Sequence, residues 1–211
     1  MTPTAGPRPL ILGSTSRYRR ELMDRLELKF DVASPDYDER AAEAKLVGAT
    51  PRDIALELAR GKARSLAGAY PNHLILGSDQ VVCLPGPPPQ ILHKPQTVER
   101  AVAQLMQLAG KTHEMFTAVA LFDSSSGEVW DEVDEHRLTM RSYGEPEARA
   151  YIERYRPLDC AGSYRIEDPG LILFDRIDGG DYTGVIGLPL LAVHRLLRAA
   201  GQLPSDTAQT S

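Results

Sequence analysis

Apolar and polar positions alternate along this chain with two different periods. Two apolar runs, Leu10-Ile11-Leu12 and Leu74-Ile75-Leu76, are each followed by Gly-Ser, and each predicts a buried strand that ends in a small-residue turn. Leu22 and Leu26 mark the buried face of a helix over 16–26. Thr50, Pro51 and Asp53 form a capping box, with proline at the first helical position, and open a second helix that runs through Ile54, Leu58 and Ala59 toward Leu66. Gly61 inside that helix costs about 1 kcal/mol against alanine, so close packing or ligand approach is expected there. Residues 74–84 read as a strand broken at Gly77-Ser78, followed by a Pro/Gly turn at 85–89. A helix is predicted over 97–108, stopped by Ala109-Gly110. Segments 116–122 and 132–141 flank Ser124-Ser125-Ser126-Gly127 as an antiparallel hairpin. A short helix over 145–154, a short buried strand over 171–174 and a last helix over 188–200 complete the pattern. Strands and helices alternating around a hairpin predict an α/β fold with a mixed, strongly twisted sheet.

Composition narrows this picture. The 211 residues suit one domain, with flexible ends expected over 1–8 and 204–211 and a single unit of one or two lobes over 9–203. Hydrophobic residues at 42% and charged residues at 25% are ordinary for a soluble protein. A net charge of −5 argues against a general nucleic-acid binder while leaving room for a local cationic site. No apolar run approaches the length of a membrane span, and no signal-peptide pattern opens the chain. Cys83 and Cys160 stand apart, as buried thiols in a reducing cytoplasm would, and the five histidines form no metal-ligand motif.

The two Gly-Ser turns differ in the chemistry that follows. The first leads into Thr15-Ser16-Arg17-Tyr18-Arg19-Arg20, hydroxyls and guanidinium groups suited to phosphate oxygens at a helix N-terminus. Arg17, Arg19 and Arg20 do not share one helix face, so only one or two of them are expected to meet a ligand. The second leads into Asp79-Gln80, where an acid at a strand end serves as metal ligand, general base or turn cap. Lys94, held out of regular helix by Pro95, is placed to reach phosphate oxygens. Asp36, Asp38 and Glu39 form an acidic loop able to complete an oxygen shell for Mg²⁺. The run Asp131-Glu132-Val133-Asp134-Glu135 reads as a solvated strand without chemistry. Phosphate-loop and dinucleotide fingerprints are absent from the sequence. A cationic edge facing an acidic edge suggests an enzyme acting on a polyphosphate.

In this order the residues resemble the Maf-like nucleoside triphosphate pyrophosphatases from Leu10 to about Gly201. The motifs that carry the likeness are residues 14–20, Asp38-Glu39, Gly61-Lys62-Ala63, Gly77-Ser78-Asp79-Gln80, Lys94-Pro95, Ala161-Gly162-Ser163-Tyr164 and Gly187-Leu188-Pro189-Leu190. The resemblance implies an elongated α/β fold of the inosine triphosphatase-like type with a central cleft. It also implies a divalent metal (Mg²⁺ or Mn²⁺), a cytoplasmic location, a homodimer and hydrolysis of a nucleoside triphosphate to monophosphate and pyrophosphate. By position, Asp79 matches the proton acceptor, and Ser14, Arg19, Arg20, Lys62 and Lys94 match substrate-binding residues, with Glu39 and Asp79 near the metal. Tyr18, Gln80 and Glu167 match the positions that divide the family by base, and their pattern resembles the branch that hydrolyses 7-methyl-GTP and so cleanses the nucleotide pool. The aromatic suits a cationic methylated guanine, and the carboxylate suits its N–H edge. The alternatives are the dTTP/UTP branch and a nucleotide-binding regulator of septum formation with little turnover. Two positions depart from the family pattern: Arg17 stands where proline is usual, and Gly61 where a glutamate is usual.

Overall fold

A computed structural model describes residues 8–167 and 169–203. Its centre is a mixed sheet of seven strands: β1 (Leu10–Gly13), β2 (Asp31–Ala33), β3 (Leu74–Leu84), β4 (Gln90–Leu92), β5 (Thr112–Asp123), β6 (Val129–Met140) and β7 (Phe174–Gly179). The spatial order is β2-β1-β3-β5-β6-β7, with β4 paired to β3. The β1–β2 and β1–β3 pairs are parallel and the rest antiparallel. The helices are α1 (Arg17–Asp24), α2 (Glu39–Glu43), α3 (Pro51–Ser65), α4 (Val98–Leu108), α5 (Glu145–Tyr155), α6 (Tyr182–Ile186) and α7 (Leu190–Ala199).

Side chains on β3 alternate between the two faces of the sheet. Leu74 and Leu76 pack with α1 and α7 through Leu22, Met23, Val193 and Leu197. Farther along the same face, Val82 packs with α4 and α5 through Leu105 and Ile152. On the opposite face, Ile75 packs with Ala63 of α3 and with Leu66 just past its end, and Val81 with Ile54, Ala55 and Ala59 of the same helix. One long helix thus covers one face, and two separate helix pairs divide the other.

The second Leu-Ile-Leu-Gly-Ser copy is not a strand end. β3 continues without a break through Gly77-Ser78 to Leu84, because β5 pairs with it from Leu74 to Cys83. Gly77 answers a different demand: a Cβ there would lie 2.3 Å from the Ala59 carbonyl oxygen and 2.8 Å from the Ala63 nitrogen of α3. The glycine lets a helix backbone rest directly on the strand.

The other edge of β3 is divided. β1 pairs with it only as far as Gly77, and β4 takes up pairing at Val82. Residues Ser78 to Val81 therefore have a ladder partner on one side only. This gap in the sheet forms the floor of a cleft.

Other expectations need amendment. The acidic loop is partly helical, with Asp38 capping α2 by accepting from the Ala41 amide at 2.9 Å and Glu39 as its first residue. Residues 171–173 belong to a 3₁₀ turn, Pro169–Leu173, and the strand begins only at Phe174. Gly170 packs tightly there: a Cβ would meet the Arg165 carbonyl oxygen at 2.2 Å and the Tyr151 hydroxyl at 2.5 Å. The acids of β6 are paired rather than merely solvated: Asp131 with Arg60, Glu132 with Arg195, Glu135 with Arg52, and Asp134 beside His136. Arg8, expected to be flexible, is tied to Asp123 and to the Ala200 carbonyl. Residues 1–7 and 204–211 lie outside the described residues.

Candidate active site

The cleft has a volume of about 1160 Å³ and is walled by the β1–α1 turn, α2, α3, the segment after β4, and residues 159–167. Asp79 stands on its floor with only 6% of its surface exposed. Its Oδ1 accepts from Lys62 Nζ at 2.5 Å, and the same ammonium reaches Glu39 Oε1 at 3.1 Å. Lys62 comes from the last turn of α3, one residue from the alanine whose backbone touches Gly77. Helix and strand are thus fixed in register where the ion pair forms. Burial pushes the Asp79 carboxyl above the ordinary range, with Lys62 and Arg19 pulling it back.

Gly61 is explained by packing: a Cβ would sit 2.1 Å from Tyr37 Cζ. The missing side chain seats the Tyr37 ring against α3 just before α2 begins, which helps bring Glu39 to Lys62.

The arginines after β1 take three different positions. Arg19 lines the cleft, but its Nε donates to the Gly187 carbonyl at 2.9 Å and its Nη1 to the Ser78 carbonyl at 2.8 Å. It thereby satisfies a backbone carbonyl at the open edge of β3. Burial lowers its basicity, opposed by Asp79 and Glu39. Arg17 lies with its guanidinium carbon 4.6 Å from the centre of the Tyr18 ring and donates to that ring's hydroxyl at 2.6 Å. Arg20 is exposed on α1 and is not among the residues that wall the cleft.

Ser14 and Lys94 both line the cleft, Ser14 buried and Lys94 exposed. Ser14 Oγ accepts from the Ser16 amide and shapes the turn ahead of α1. Ser16 then caps that helix. Tyr18, Gln80 and Glu167 line the cleft as well. Gln80 points to the face opposite Asp79, where its Nε2 donates to Thr117 Oγ1, Gly184 O and Val185 O at 3.0, 3.0 and 3.2 Å.

Sequence reasoning did not single out Arg165 or Thr117. Arg165 lines the cleft and donates to the Tyr18 hydroxyl; its signal was its place directly after the Ala161–Tyr164 motif. Thr117 left no signal, since a threonine in a strand is ordinary. His113 is a core group: buried, joined to the Tyr164 hydroxyl at 2.8 Å, and held neutral by burial, which lowers its pKa to about 4.

The site therefore offers a buried carboxylate aimed from an unpaired strand edge, a lysine paired to it, and a second carboxylate beside them. Such a set can orient or deprotonate water next to an anionic phosphorus centre. A family described as Maf-like protein matches residues 9–200. The chain is 46% identical over 201 residues, 95% of its length and 88% of the relative's, to a 7-methyl-GTP pyrophosphatase of Polaromonas sp. (strain JS666 / ATCC BAA-500). A crystal structure of a nucleoside-triphosphatase / dITP/XTP pyrophosphatase from Mycobacterium abscessus ATCC 19977 / DSM 44196 is 18% identical. It covers 63% of this chain and 72% of its own with a TM-score of 0.38, a likeness too slight to bear on the chemistry.

Proposed function

This chain belongs to the Maf-like family, and from that premise we propose that it hydrolyses a nucleoside triphosphate to the monophosphate and pyrophosphate, with 7-methyl-GTP preferred. The observation that carries the reaction is the buried Asp79–Lys62 pair at the unpaired edge of β3. Lys62 engages Oδ1 and leaves Oδ2 to take a proton from water. The water oxygen forms a bond to the α-phosphorus, the bond from that phosphorus to the α,β-bridging oxygen breaks, and pyrophosphate departs with the bond's electron pair. Arg19 holds the strand edge and adds positive charge, while Lys94 and the α1 turn at Ser14 meet phosphate oxygens.

Asp79 and Glu39 suit one divalent cation, because both carboxylates already converge on a single ammonium. Among the described residues no group of three or more His, Cys, Asp or Glu side chains comes together. Magnesium characteristically takes one or two carboxylates and completes its shell with phosphate oxygens and water. When bound, Mg²⁺ or Mn²⁺ neutralises triphosphate charge.

The base preference rests on Tyr18, Gln80 and Glu167 together with the likeness to the Polaromonas enzyme. Cytoplasmic action agrees with the unpaired thiols Cys83 and Cys160. Among the described residues no helix is long and apolar enough to cross a membrane.

The test is pyrophosphate release from 7-methyl-GTP, GTP, UTP, dTTP and CTP with Mg²⁺ or Mn²⁺, run beside Asp79→Asn and a chelator control. Preference for 7-methyl-GTP that vanishes in the variant and on chelation supports the whole reading. Preference for UTP and dTTP overturns the base assignment. Full activity in Asp79→Asn overturns the mechanism.

A further inference from the structure

Three residues stand in one row across the sheet: Gln80 pairs with Thr117, and Thr117 with Asp134. Helix α6 lies over this row. The Gly184 carbonyl accepts from both Gln80 Nε2 at 3.0 Å and Thr117 Oγ1 at 2.9 Å. Gly184 has no space for a side chain, since a Cβ would sit 2.0 Å from Asp134 Oδ2. Asp181, buried at the N-cap of α6, accepts from the Thr183 amide and hydroxyl and from the Leu191 amide. The Thr183 hydroxyl in turn accepts from the Leu190 amide. These bonds pin α6 to the start of α7, so the carbonyls above Gln80 are fixed in place.

The hydrogen-bond chemistry of the row admits one orientation of the Gln80 amide. Gly184 O and Val185 O are carbonyls and only accept. Thr117 has a single hydroxyl proton, already given to Gly184 O, so toward Gln80 it also accepts. In this arrangement all three neighbours take N–H from the glutamine. A flipped amide would set Oε1 against the two carbonyls, which cannot donate, in a half-buried site. With Nε2 consumed, Oε1 is what remains for a ligand in the cleft.

We infer that Thr117 is a specificity-positioning residue: with the Gly184 and Val185 carbonyls it locks the Gln80 amide so that an acceptor faces the substrate base, favouring a base edge rich in N–H donors. The inference rests on the nucleotide-hydrolase reading above and deepens it. A guanine edge presents an imino N–H and an amino group, whereas uracil presents one N–H between two carbonyls. Thr117 is buried and is not among the residues that wall the cleft, so it acts through Gln80.

The experiment compares Thr117→Val with Thr117→Ser. It measures kcat and KM for 7-methyl-GTP and UTP, and equilibrium binding of their α,β-methylene analogues, which resist cleavage at the reacting bond. Thr117→Val should weaken 7-methyl-GTP about three- to tenfold relative to UTP, the worth of one hydrogen bond, with the loss in KM and binding. Thr117→Ser should restore the ratio. An equal loss for both nucleotides, or an unchanged ratio in Thr117→Val, overturns the inference. Turnover and binding separate the two levels: wild type that binds both analogues but hydrolyses neither nucleotide sinks the proposed reaction, while the binding ratio still judges Thr117.

Discussion

Replacing Gly77 with alanine tests whether the contact between α3 and β3 governs both stability and catalysis. The new methyl would meet the Ala59 carbonyl oxygen at 2.3 Å, the Ala63 nitrogen at 2.8 Å and the Ala63 Cβ at 3.1 Å. Two of these atoms are helix backbone and cannot rotate away. Ordinary non-bonded contact is about 3.5 Å, so α3 must retreat by about 1 Å. Overpacking of this kind costs about 1–3 kcal/mol, and a clash against backbone belongs at the upper end. Alanine in a strand returns about 0.5–1 kcal/mol of chain entropy. The net is a loss of about 2 kcal/mol, a fall in Tm of about 4–8 °C for a domain of this size. The same retreat carries Lys62 away from Asp79, now 2.5 Å apart. A misplacement of about 1 Å at a reacting group costs on the order of 100-fold in rate. The assay is thermal unfolding by circular dichroism alongside kcat for pyrophosphate release, measured well below the new Tm. Gly68→Ala is the control, because a Cβ there meets nothing within 4 Å, and it should leave both quantities unchanged or raise Tm slightly. A Gly77→Ala protein with unchanged Tm and kcat would refute the claim that this backbone contact sets the site.

Three further perturbations probe separate parts of the molecule. Lys62→Met removes the cation that opposes the effect of burial on Asp79, so the Asp79 carboxyl should rise further; the acidic limb of the pH–rate profile then moves to higher pH, and an unmoved limb would show that Asp79 is not the titrating base. Burial alone would raise the Asp123 carboxyl, but donation from Ser125, Ser126 and Arg8 holds it well below the usual range. Its contribution is therefore present above the unfolded-state value, about 3.9, and lost as pH falls through the folded one; Asp123→Asn should flatten the acid dependence of urea-unfolding stability. Arg17→Ala removes the nearer of two guanidinium groups at the Tyr18 ring, leaving Arg165 at 6.0 Å, and binding of the α,β-methylene analogue of 7-methyl-GTP should tighten about two- to fivefold, the scale of an exposed cation–π contact. Weaker binding would mean that Arg17 itself holds the nucleotide.

Local signals were legible wherever the physics is local. Thr50 with Pro51 and Asp53 caps α3 as the sequence predicts. Gly110 ends α4 with a positive φ. Gly77-Ser78 misled, because a glycine placed for an approaching helix reads like one placed for a turn. The three-residue strands β2 and β4 and the five-residue helix α6 are too short for any period to emerge, and β4 is one boundary of the cleft. Asp79 and Glu39 were legible as acids in the sequence and Lys62 only through resemblance, yet their junction on one ammonium depends on the α3–β3 contact. Arg19 was read as a phosphate ligand from its charge; its carbonyl partners lie at Ser78 and Gly187, far along the chain. The Thr117 cradle was invisible for the same reason.

Neighbouring residues on a strand face opposite ways, and here that simple fact separates two inheritable properties. Asp79 is served by α3, while Gln80, the very next residue, is served by α6. Under the proposed function, substitutions between Asp181 and Ile186 would retune which base is accepted without touching the lysine that pairs with Asp79. Changes in α3 would then alter the speed of bond cleavage rather than the choice of base. A lineage diverging from such an ancestor can therefore acquire new substrates by drift on one side of a single strand, with the hydrolytic apparatus on the other side held constant.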